Sequence, residues 1–480
     1  MAPDVETQPF AGRRNHFSGV GGSGMTPLAI LAASLGAEVT GSDRNFDRGL
    51  ALPSFDALRK AGVRLLPQDG SGVTPELRAF IHSTAVETAN PDFRRAAELG
   101  VTRIRRGSFL AGIAGTRRSI AIAGTSGKST VTAMIAHILV RAGLDPSFLG
   151  GGAAVDLEGM VEPGSLRAGR SEWFVVETDE SDGSVAEFSP AIAVLTNLSR
   201  DHKEIEETGR AFEALLAQTR ERAVINVGDP ELEHVRCPAA LARLCVAVER
   251  ATTWAQPDLL ATAIQLASDS VGFEVDRVRV SVPFPGSLTV ENTLFSIGAA
   301  VAAGIPLDQA AEAMATFRGV RRRLERIGAH GGIDVFDDFG HNPVKIAAAL
   351  EALRPKGALW VYYQPHGYGP TRFFRDQLVA TFRDGLRPTD RLLLAPIYDA
   401  GGTADRSIRS EELVEELRAA GVNARVGTTR EAAAEAIALG TRPGDRAVVM
   451  GARDDTLPEF ARAVLAAIGN REARLIPPAR

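Results

Sequence analysis

Short apolar runs alternate with helix-like segments along most of the chain. Near the start, this pattern predicts a strand at 16–18, a glycine turn, a helix over 25–35 and a second strand at 38–40. That order of elements is the βαβ unit of a parallel sheet. The order returns twice further along the chain. We therefore expect an α/β protein with three domains, each built on a mainly parallel sheet with flanking helices.

The other predicted strands are short apolar runs bounded by polar or turn residues, as expected for buried strands. They lie at 119–123, 173–176, 191–196 and 223–226, and again at 333–336, 359–362, 391–394 and 447–450. An alternating stretch at 271–283 is typical of a more exposed strand, and a helix is predicted over 292–303. The predicted domains cover 1–116, 117–321 and 322–480.

Composition and charge narrow the classes of partner. The formal net charge of −5 gives no reason to expect nucleic acid or an anionic membrane as a partner. No apolar run reaches the roughly 18 residues needed to span a bilayer. Cys237 and Cys245 are too few for a disulfide framework or a zinc site. The first ten residues lack the apolar run of a signal peptide. We expect a cytoplasmic monomer or homodimer with small-molecule ligands.

The first glycine loop (residues 19–24) reads Gly-Val-Gly-Gly-Ser-Gly and satisfies G-x-G-x-x-G between a predicted strand and a helix. Glycines there let the backbone approach a pyrophosphate, and the helix N-terminus favours its negative charge. Asp43 follows the next strand at the spacing of a ribose-binding acid. The motif predicts a nucleotide diphosphate site such as an NAD site, with a structural turn as the alternative.

The phosphate loop (residues 124–129) reads Gly-Thr-Ser-Gly-Lys-Ser, again between a strand and a helix. Its backbone N–H groups can surround phosphate oxygens, Lys128 supplies a cation, and the Ser129 hydroxyl can bind Mg²⁺. It departs from the strict Walker pattern, which has a glycine where this chain has Ile122. The loop predicts an ATP site, so the central domain would be a P-loop domain between two Rossmann-like ones.

Two polar segments follow predicted strands of the central domain. Residues 177–182 read Glu-Thr-Asp-Glu-Ser-Asp, and residues 197–202 read Asn-Leu-Ser-Arg-Asp-His. A carboxylate at a strand end beside a phosphate loop is where nucleotide enzymes hold Mg²⁺. Glu177 and His202 are therefore candidate ligands, with a solvated acidic turn and a structural histidine as the alternatives.

Taken in order, these motifs resemble those of the Mur ligases over nearly the whole chain, and most closely the branch that adds L-alanine to UDP-N-acetylmuramate. The matching segments are 19–25, 41–43, 124–129, 177–182, 201–202, 317–325, 337–343 and 364–366. The resemblance implies that the carboxylate of UDP-N-acetylmuramate attacks ATP to give an acyl phosphate. An amino acid then attacks that intermediate, in peptidoglycan precursor synthesis. The N-terminal domain would bind the UDP-substrate, the central domain ATP, and the C-terminal domain the amine while closing on ATP.

The resemblance also implies a role for individual residues. The implied contacts with the UDP-sugar acid and the amine are Gly21, Gly22, Ser23, Gly24, Met25, Asp43, Ser83, His341, His366 and Arg372. The implied ATP contacts are Gly124, Thr125, Ser126, Gly127, Lys128, Ser129, Thr130, Asn292, Arg323 and Asp338. The implied magnesium ligands are Ser129, Glu177 and His202, and the implied catalytic residues are Lys128, Glu177, His202 and His341.

Departures from the family pattern cluster where the substrate would bind. Gly367 and Pro370 stand where the family carries two arginines, and Phe339 replaces a tyrosine. Because lost cations weaken an anion site, one alternative is a paralogue that uses a different amine, including a peptide, or a different UDP-sugar acid. Outside the ligases, the alternatives are an NAD-binding oxidoreductase using the first glycine loop and Asp43, or a non-catalytic nucleotide-binding protein.

Overall fold

The structure is a computed structural model that describes residues 12–155, 157, 159–161, 164–200, 203–249, 252–399, 405–427 and 429–475, with side chains up to residue 470. These residues divide into two compact units. Unit 1 takes in the chain up to Ile264 together with Phe273–Ser281 and Val290–Arg318. Unit 2 takes in Gln265–Gly272, Val282–Thr289 and the chain from Gly319 onward.

The first sheet of unit 1 has five strands in the order β3-β2-β1-β4-β5, and every neighbouring pair is parallel. Its elements are β1 (Arg14–Ser18), α1 (Met25–Ser34), β2 (Glu38–Ser42), α2 (Arg44–Asp47), α3 (Pro53–Lys60), β3 (Arg64–Leu66), β4 (Ala79–His82), α4 (Pro91–Glu98), β5 (Arg103–Arg105) and α5 (Arg106–Gly115). The strand order reverses between β1 and β4, and ligands of open α/β sheets bind outside the carboxyl ends of the strands at such a point.

The second sheet of unit 1 has eleven strands in the order β16-β15-β14-β13-β12-β11-β6-β10-β7-β9-β8. Its elements are β6 (Arg118–Ala123), α6 (Lys128–Arg141), β7 (Ser147–Leu149), β8 (Met160–Val161), β9 (Leu166–Arg167), β10 (Trp173–Glu177), β11 (Ile192–Leu195), α7 (Ile205–Gln218), β12 (Arg222–Asn226), β13 (Ala242–Val248), β14 (Leu259–Leu266), β15 (Val271–Val275), β16 (Val278–Val282), α8 (Ser287–Ala302) and α9 (Leu307–Met314). The central strand β6 is parallel to both its neighbours, β10 and β11. Parallel strands buried on both faces read as continuous apolar runs, which is why these three were visible in the sequence.

Unit 2 contains a six-stranded sheet in the order β17-β18-β22-β19-β20-β21, parallel except for the β17–β18 pair. Its elements are β17 (Glu325–His330), β18 (Ile333–Asp338), α10 (Pro343–Ala352), β19 (Leu359–Gln364), α11 (Tyr368–Phe373), α12 (Arg375–Gly385), β20 (Arg391–Leu394), α13 (Ser410–Ala419), β21 (Ala424–Val426), α14 (Arg430–Gly440), β22 (Arg446–Gly451) and α15 (Leu457–Leu475). Separate apolar clusters cover the sheet, one containing Leu350 and Phe382, the other Ile437 and Phe460.

The predicted α/β class with mainly parallel sheets is confirmed, and two details differ. The stretch at 271–283 is a hairpin rather than one strand, because Asp276 and Arg277 both adopt positive φ, at 48° and 67°. This is the two-residue turn geometry that suits a hairpin, and without glycine or asparagine it leaves no trace in the alternating pattern. Helix α8 begins at Ser287, a turn earlier than predicted, directly after Gly286 with φ 94°. The bounds of the three predicted domains remain a prediction.

Candidate functional site

The first glycine loop lies between β1 and α1 and is held from below by Asp43. The backbone N–H of Gly21 donates to one carboxylate oxygen at 3.0 Å, and that of Asn45 donates to the other at 2.8 Å. A Cβ at Gly21 would lie 2.7 Å from the ring of Phe55, so the loop tolerates no side chain there. Asp43 therefore shapes the loop through these two hydrogen bonds, and its contact with a ligand remains a prediction.

The other predicted contacts of this loop lie around the start of α1. Gly24 is its N-cap, and Gly22 and Ser23 precede it in the turn. The side chain of Met25 is buried in the hydrophobic core, leaving its backbone to line the loop. Ser83 follows β4, and because β1 and β4 are parallel, it lies at the same edge of the sheet as the loop.

The phosphate loop is built from backbone conformations that only glycine adopts easily. Gly124 has φ 146°, and Gly127, at φ 81°, is the N-cap of α6. A Cβ at Gly127 would lie 2.5 Å from Oδ1 of Asn292, which places Asn292 directly against the loop. Two residues 165 positions apart in the chain are thus brought together as predicted for a shared ATP site.

A segment after β11 fastens the phosphate loop from the other side. The Ser126 backbone N–H donates to Oδ1 of Asn197 at 2.9 Å, and Nδ2 of Asn197 donates to the Ser126 carbonyl at 3.1 Å. The Thr125 hydroxyl donates to the Ser199 carbonyl at 3.1 Å. The predicted ligand His202 lies outside the described residues, as does Asp201.

Lys128 is held by two oxygens in this structure. Its ammonium Nζ donates to the carbonyl of Gly124 at 2.6 Å and to Oε1 of Glu180 at 2.8 Å. Both side chains of the ion pair are nearly buried, with 13% and 10% of their surface exposed. Burial raises the pKa of Glu180, and the Lys128 charge opposes that rise. The second oxygen of Glu180, Oε2, is buried and has no hydrogen-bond partner within the described residues.

Glu177 ends β10, the strand next to the one that carries the phosphate loop. Its Oε2 accepts from the backbone N–H of Gly151 at 2.7 Å, which fixes the orientation of the carboxylate. Ser129 lies in the first turn of α6 and is mostly buried, and Thr130 follows it there. Because β6 and β10 are parallel neighbours, Glu177 and the phosphate loop lie at the same edge of the sheet. Groups of three or more side chains placed to bind a metal do not occur among the described residues.

Two predicted residues of unit 2, Asp338 and His341, lie at the end of β18 and just beyond it, and Arg323 precedes β17. Both oxygens of Asp338 accept backbone N–H groups, from Leu324 at 2.8 Å and from Gly340 at 2.7 Å. Burial raises the pKa of Asp338, and these two hydrogen bonds oppose the rise. Arg323 stacks over the ring of Phe339, 4.6 Å from its centroid, in a cation–π contact.

His341 and His366 form a pair whose ring centroids are 4.8 Å apart. The Nδ1 atom of His341 lies 2.9 Å from the carbonyl of Phe339, which can only accept, so Nδ1 carries the proton. The lone pair of the neutral ring is then on Nε2. Arg372 does not join this pair, because its guanidinium contacts Asp405 and Ser407 at 3.0 and 3.2 Å.

Three charged residues at these sites were not found from the sequence. Arg106 lies against Gly24, Glu180 pairs with Lys128, and Nη1 of Arg453 lies 3.9 Å from the Cβ position of Gly367. Glu180 belonged to a segment already singled out, but nothing in its spacing distinguished it from Glu177. The residues that Arg106 and Arg453 contact in space are more than 70 positions away in the sequence, so only an alignment of relatives carries a signal for these contacts.

A P-loop beside a strand-end carboxylate, on a central parallel strand of a large sheet, defines a nucleotide-binding α/β protein. Three family models match successive parts of the chain: "Mur ligase family, catalytic domain" over residues 14–118, "Mur ligase middle domain" over 122–300 and "Mur ligase, glutamate ligase domain" over 322–453. The chain belongs to the Mur ligase family.

Two curated relatives show how far the similarity extends. The UDP-N-acetylmuramate–L-alanine ligase of Rhizobium meliloti is 33% identical over 459 residues, covering 91% of this chain and 93% of the relative. The enzyme of the same name from Brucella anthropi is 31% identical over 463 residues, covering 93% and 96%.

Two solved structures share the fold. The UDP-N-acetylmuramate-alanine ligase MurC from Thermotoga maritima has a TM-score of 0.74 and 22% identity, covering 96% of this chain and 99% of that one. The murein peptide ligase Mpl from Psychrobacter arcticus has a TM-score of 0.65 and 23% identity, with the same coverage.

Family membership confirms the prediction of an ATP-dependent amide ligase that acts on small molecules. The ligase assignment therefore replaces the two alternatives from outside the ligases, an NAD-binding oxidoreductase and a non-catalytic nucleotide-binding protein. Within the described residues, no helix combines the length and apolar character needed to cross a membrane. The roles of individual residues, the magnesium ion, the oligomeric state and the cytoplasmic location remain predictions.

Proposed function

We propose that this protein joins L-alanine to the carboxylate of UDP-N-acetylmuramate, forming ADP and phosphate. The observation that carries the proposal is the similarity to UDP-N-acetylmuramate–L-alanine ligases over more than nine-tenths of the chain. The first glycine loop would bind the UDP diphosphate, and the phosphate loop would bind ATP.

In the first step, a carboxylate oxygen of the acyl substrate attacks the γ-phosphorus of ATP. The new O–P bond forms as the bond to the β,γ-bridging oxygen breaks, and that oxygen leaves with the electron pair as part of ADP. Such a transfer depends on positioning and on neutralising phosphate charge. Lys128, the loop N–H groups and the N-terminus of α6 provide positive charge, and Asn292 lies against the loop to orient the nucleotide.

The residues here suit a magnesium ion. Mg²⁺ prefers hard oxygen ligands and is usually held by one or two protein side chains together with substrate phosphates. The Ser129 hydroxyl and the Glu177 carboxylate supply such oxygens at one edge of the sheet, and His202 is the predicted third ligand. When bound, the ion would neutralise charge on the phosphate oxygens.

In the second step, the amine of L-alanine attacks the carbonyl carbon of the acyl phosphate. The C–N bond forms, phosphate leaves with its bridging oxygen, and the amine gives up a proton. His341 is suited to accept that proton, because Nδ1 is committed to the Phe339 carbonyl and the lone pair is on Nε2. Asp338 would keep Arg323 and the 338–341 turn in place through its two backbone hydrogen bonds.

One observation favours a second candidate, a ligase for a different amine. Gly367 has φ 139° and Pro370 lies inside α11, so neither of these positions offers a cation to the carboxylate of an amino acid. Arg372 is paired with Asp405. Against this second candidate, Nη1 of Arg453 lies 3.9 Å from the Cβ position of Gly367 and offers a cation there, so L-alanine remains the first candidate.

The test measures ADP release with UDP-N-acetylmuramate, ATP and Mg²⁺ against a panel of L-alanine, glycine, L-serine and the tripeptide used by murein peptide ligases. We expect the highest kcat/KM with L-alanine. A higher value for the tripeptide or another amine would move the assignment to the second candidate, and no amine-dependent release at all would refute both. Lys128→Met should abolish turnover, whereas Lys60→Met, on the exposed face of α3, should leave it unchanged.

A further inference from the structure

Arg106 lies between the first glycine loop and the acidic segment after β10. It is the first residue of α5 and its side chain is 22% exposed. A Cβ on Gly24 would lie 3.3 Å from its Cδ, 3.4 Å from Nη1 and 3.6 Å from Nε. One edge of the guanidinium therefore lies against the N-cap of α1, where the first glycine loop ends.

The other end of the same guanidinium binds the acidic segment after β10. Nη2 lies 2.9 Å from Oδ2 of Asp179 and 3.3 Å from Oδ2 of Asp182. The backbone supports this contact closely, since a Cβ at Gly107 would lie 3.0 Å from Oδ2 of Asp182 and overlap Ser184. Asp179 is further fixed by the Ser181 N–H and hydroxyl.

The residue after Asp179 is Glu180, the ion-pair partner of Lys128. Glu180 is bonded directly to Asp179 in the segment after β10, so we expect a backbone shift at Asp179 to reach the carboxylate that holds the phosphate-loop lysine. The guanidinium beside Gly24 is thus linked to Gly124 through the Arg106–Asp179 contact, the Asp179–Glu180 peptide bond and the two hydrogen bonds of Lys128.

We propose that Arg106 is a positioning residue that couples the first glycine loop to the phosphate loop. Its Nε and Nη1 bind the diphosphate of the acyl nucleotide, and the contact of its Nη2 with Asp179 controls the position of the Glu180–Lys128 pair. The diphosphate competes with Asp179 for the guanidinium and loosens that contact. Glu180 then shifts, and Lys128 is released for ATP phosphates. By linkage, ATP must tighten binding of the acyl nucleotide by the same factor. This inference rests on the proposed function.

Calorimetric titration tests the coupling without requiring turnover. The probes are UDP-N-acetylmuramate and the non-hydrolysable β,γ-imido analogue of ATP with Mg²⁺, each titrated with and without the other. In the unmodified protein we expect each ligand to tighten the other roughly tenfold. In Arg106→Met, the affinity for UDP-N-acetylmuramate should fall by about tenfold or more, as for loss of one charged hydrogen bond, and the coupling factor should approach one.

Two further variants separate this role from a general loss of structure. Asp179→Asn frees the guanidinium, so it should bind UDP-N-acetylmuramate at least as tightly as the unmodified protein and still lose the coupling. Arg105→Met, on the exposed neighbouring residue, should behave like the unmodified protein. If Arg106→Met or Asp179→Asn keeps the full coupling factor, the inference is overturned. If the unmodified protein binds both probes without coupling, the inference alone fails, whereas failure to bind UDP-N-acetylmuramate would also refute the proposed function.

Discussion

Because of Asp337, the free energy of unfolding of unit 2 should fall as the pH rises. Its side chain is fully buried at the end of β18, and neither carboxylate oxygen has a hydrogen-bond partner within the described residues. The nearest cation is Arg322, whose Nε lies 3.4 Å from Oδ2. Burial raises the pKa of Asp337 to about 7 from 3.8, because the Arg322 charge only partly offsets desolvation and Glu325 and Asp338 add negative charge.

The sign follows from comparing the folded and unfolded states. Below pH 3.8 the carboxyl is protonated in both, so it contributes no difference. Between pH 3.8 and about 7 the unfolded chain loses the proton and the folded chain keeps it, so the free energy of unfolding decreases as the pH rises. Above about 7 the penalty is constant. At about 1.4 kcal/mol per pKa unit, the difference between the folded and unfolded pKa values corresponds to a full penalty of about 4 kcal/mol.

Asp337→Asn removes the titration while keeping the size of the side chain. We expect the stability of the variant, relative to the unmodified protein, to rise by about 3 kcal/mol between pH 4.5 and 7.5, because about 1 kcal/mol of the penalty is already present at pH 4.5. Urea unfolding followed by Trp360 fluorescence measures it, with Trp173 and Trp254 of unit 1 changed to Phe in both backgrounds. Asp384→Asn is the control, because the Arg383 hydrogen bond lowers the pKa of Asp384 and places its titration below this window. A constant difference between Asp337→Asn and the unmodified protein across the range would refute the reasoning.

Two further predictions concern the loops. Gly127→Ala should raise the KM for ATP by about tenfold, since a left-handed alanine costs about 1 kcal/mol and its Cβ displaces Asn292. The control is Gly143→Ala, which has the same φ of 81° but no atom within 4 Å of its Cβ. It should lower the melting temperature and leave the KM for ATP unchanged. Equal KM values for the two variants would show that the Asn292 contact is unimportant. Arg453→Met should raise the KM for L-alanine by about tenfold with little change in the KM for ATP, and the exposed Arg425→Met serves as its control. An unchanged KM for L-alanine would remove Arg453 from the amine site.

Much of the fold was readable because burial leaves a local pattern. The β6, β10 and β11 strands are buried on both faces and appear as apolar runs, and the phosphate loop needs glycine at positions whose φ is positive. Short strands such as β3 and β5, with three residues each, carry too few positions to show a period, and the β15–β16 turn, Asp276-Arg277, lacks the glycine or asparagine that marks a two-residue hairpin.

The sequence by itself determined the order of elements, the two glycine loops and the family, since each depends on residues close together in the chain. Only the tertiary structure decided which charges meet. Asp43 supports the first glycine loop, Glu180 holds Lys128, and Arg106 lies between Gly24 and Asp179. These contacts join residues 22 to 82 positions apart, and their geometry depends on strand order and helix placement. Packing of the sheets, and no local pattern, brings such side chains within hydrogen-bonding distance.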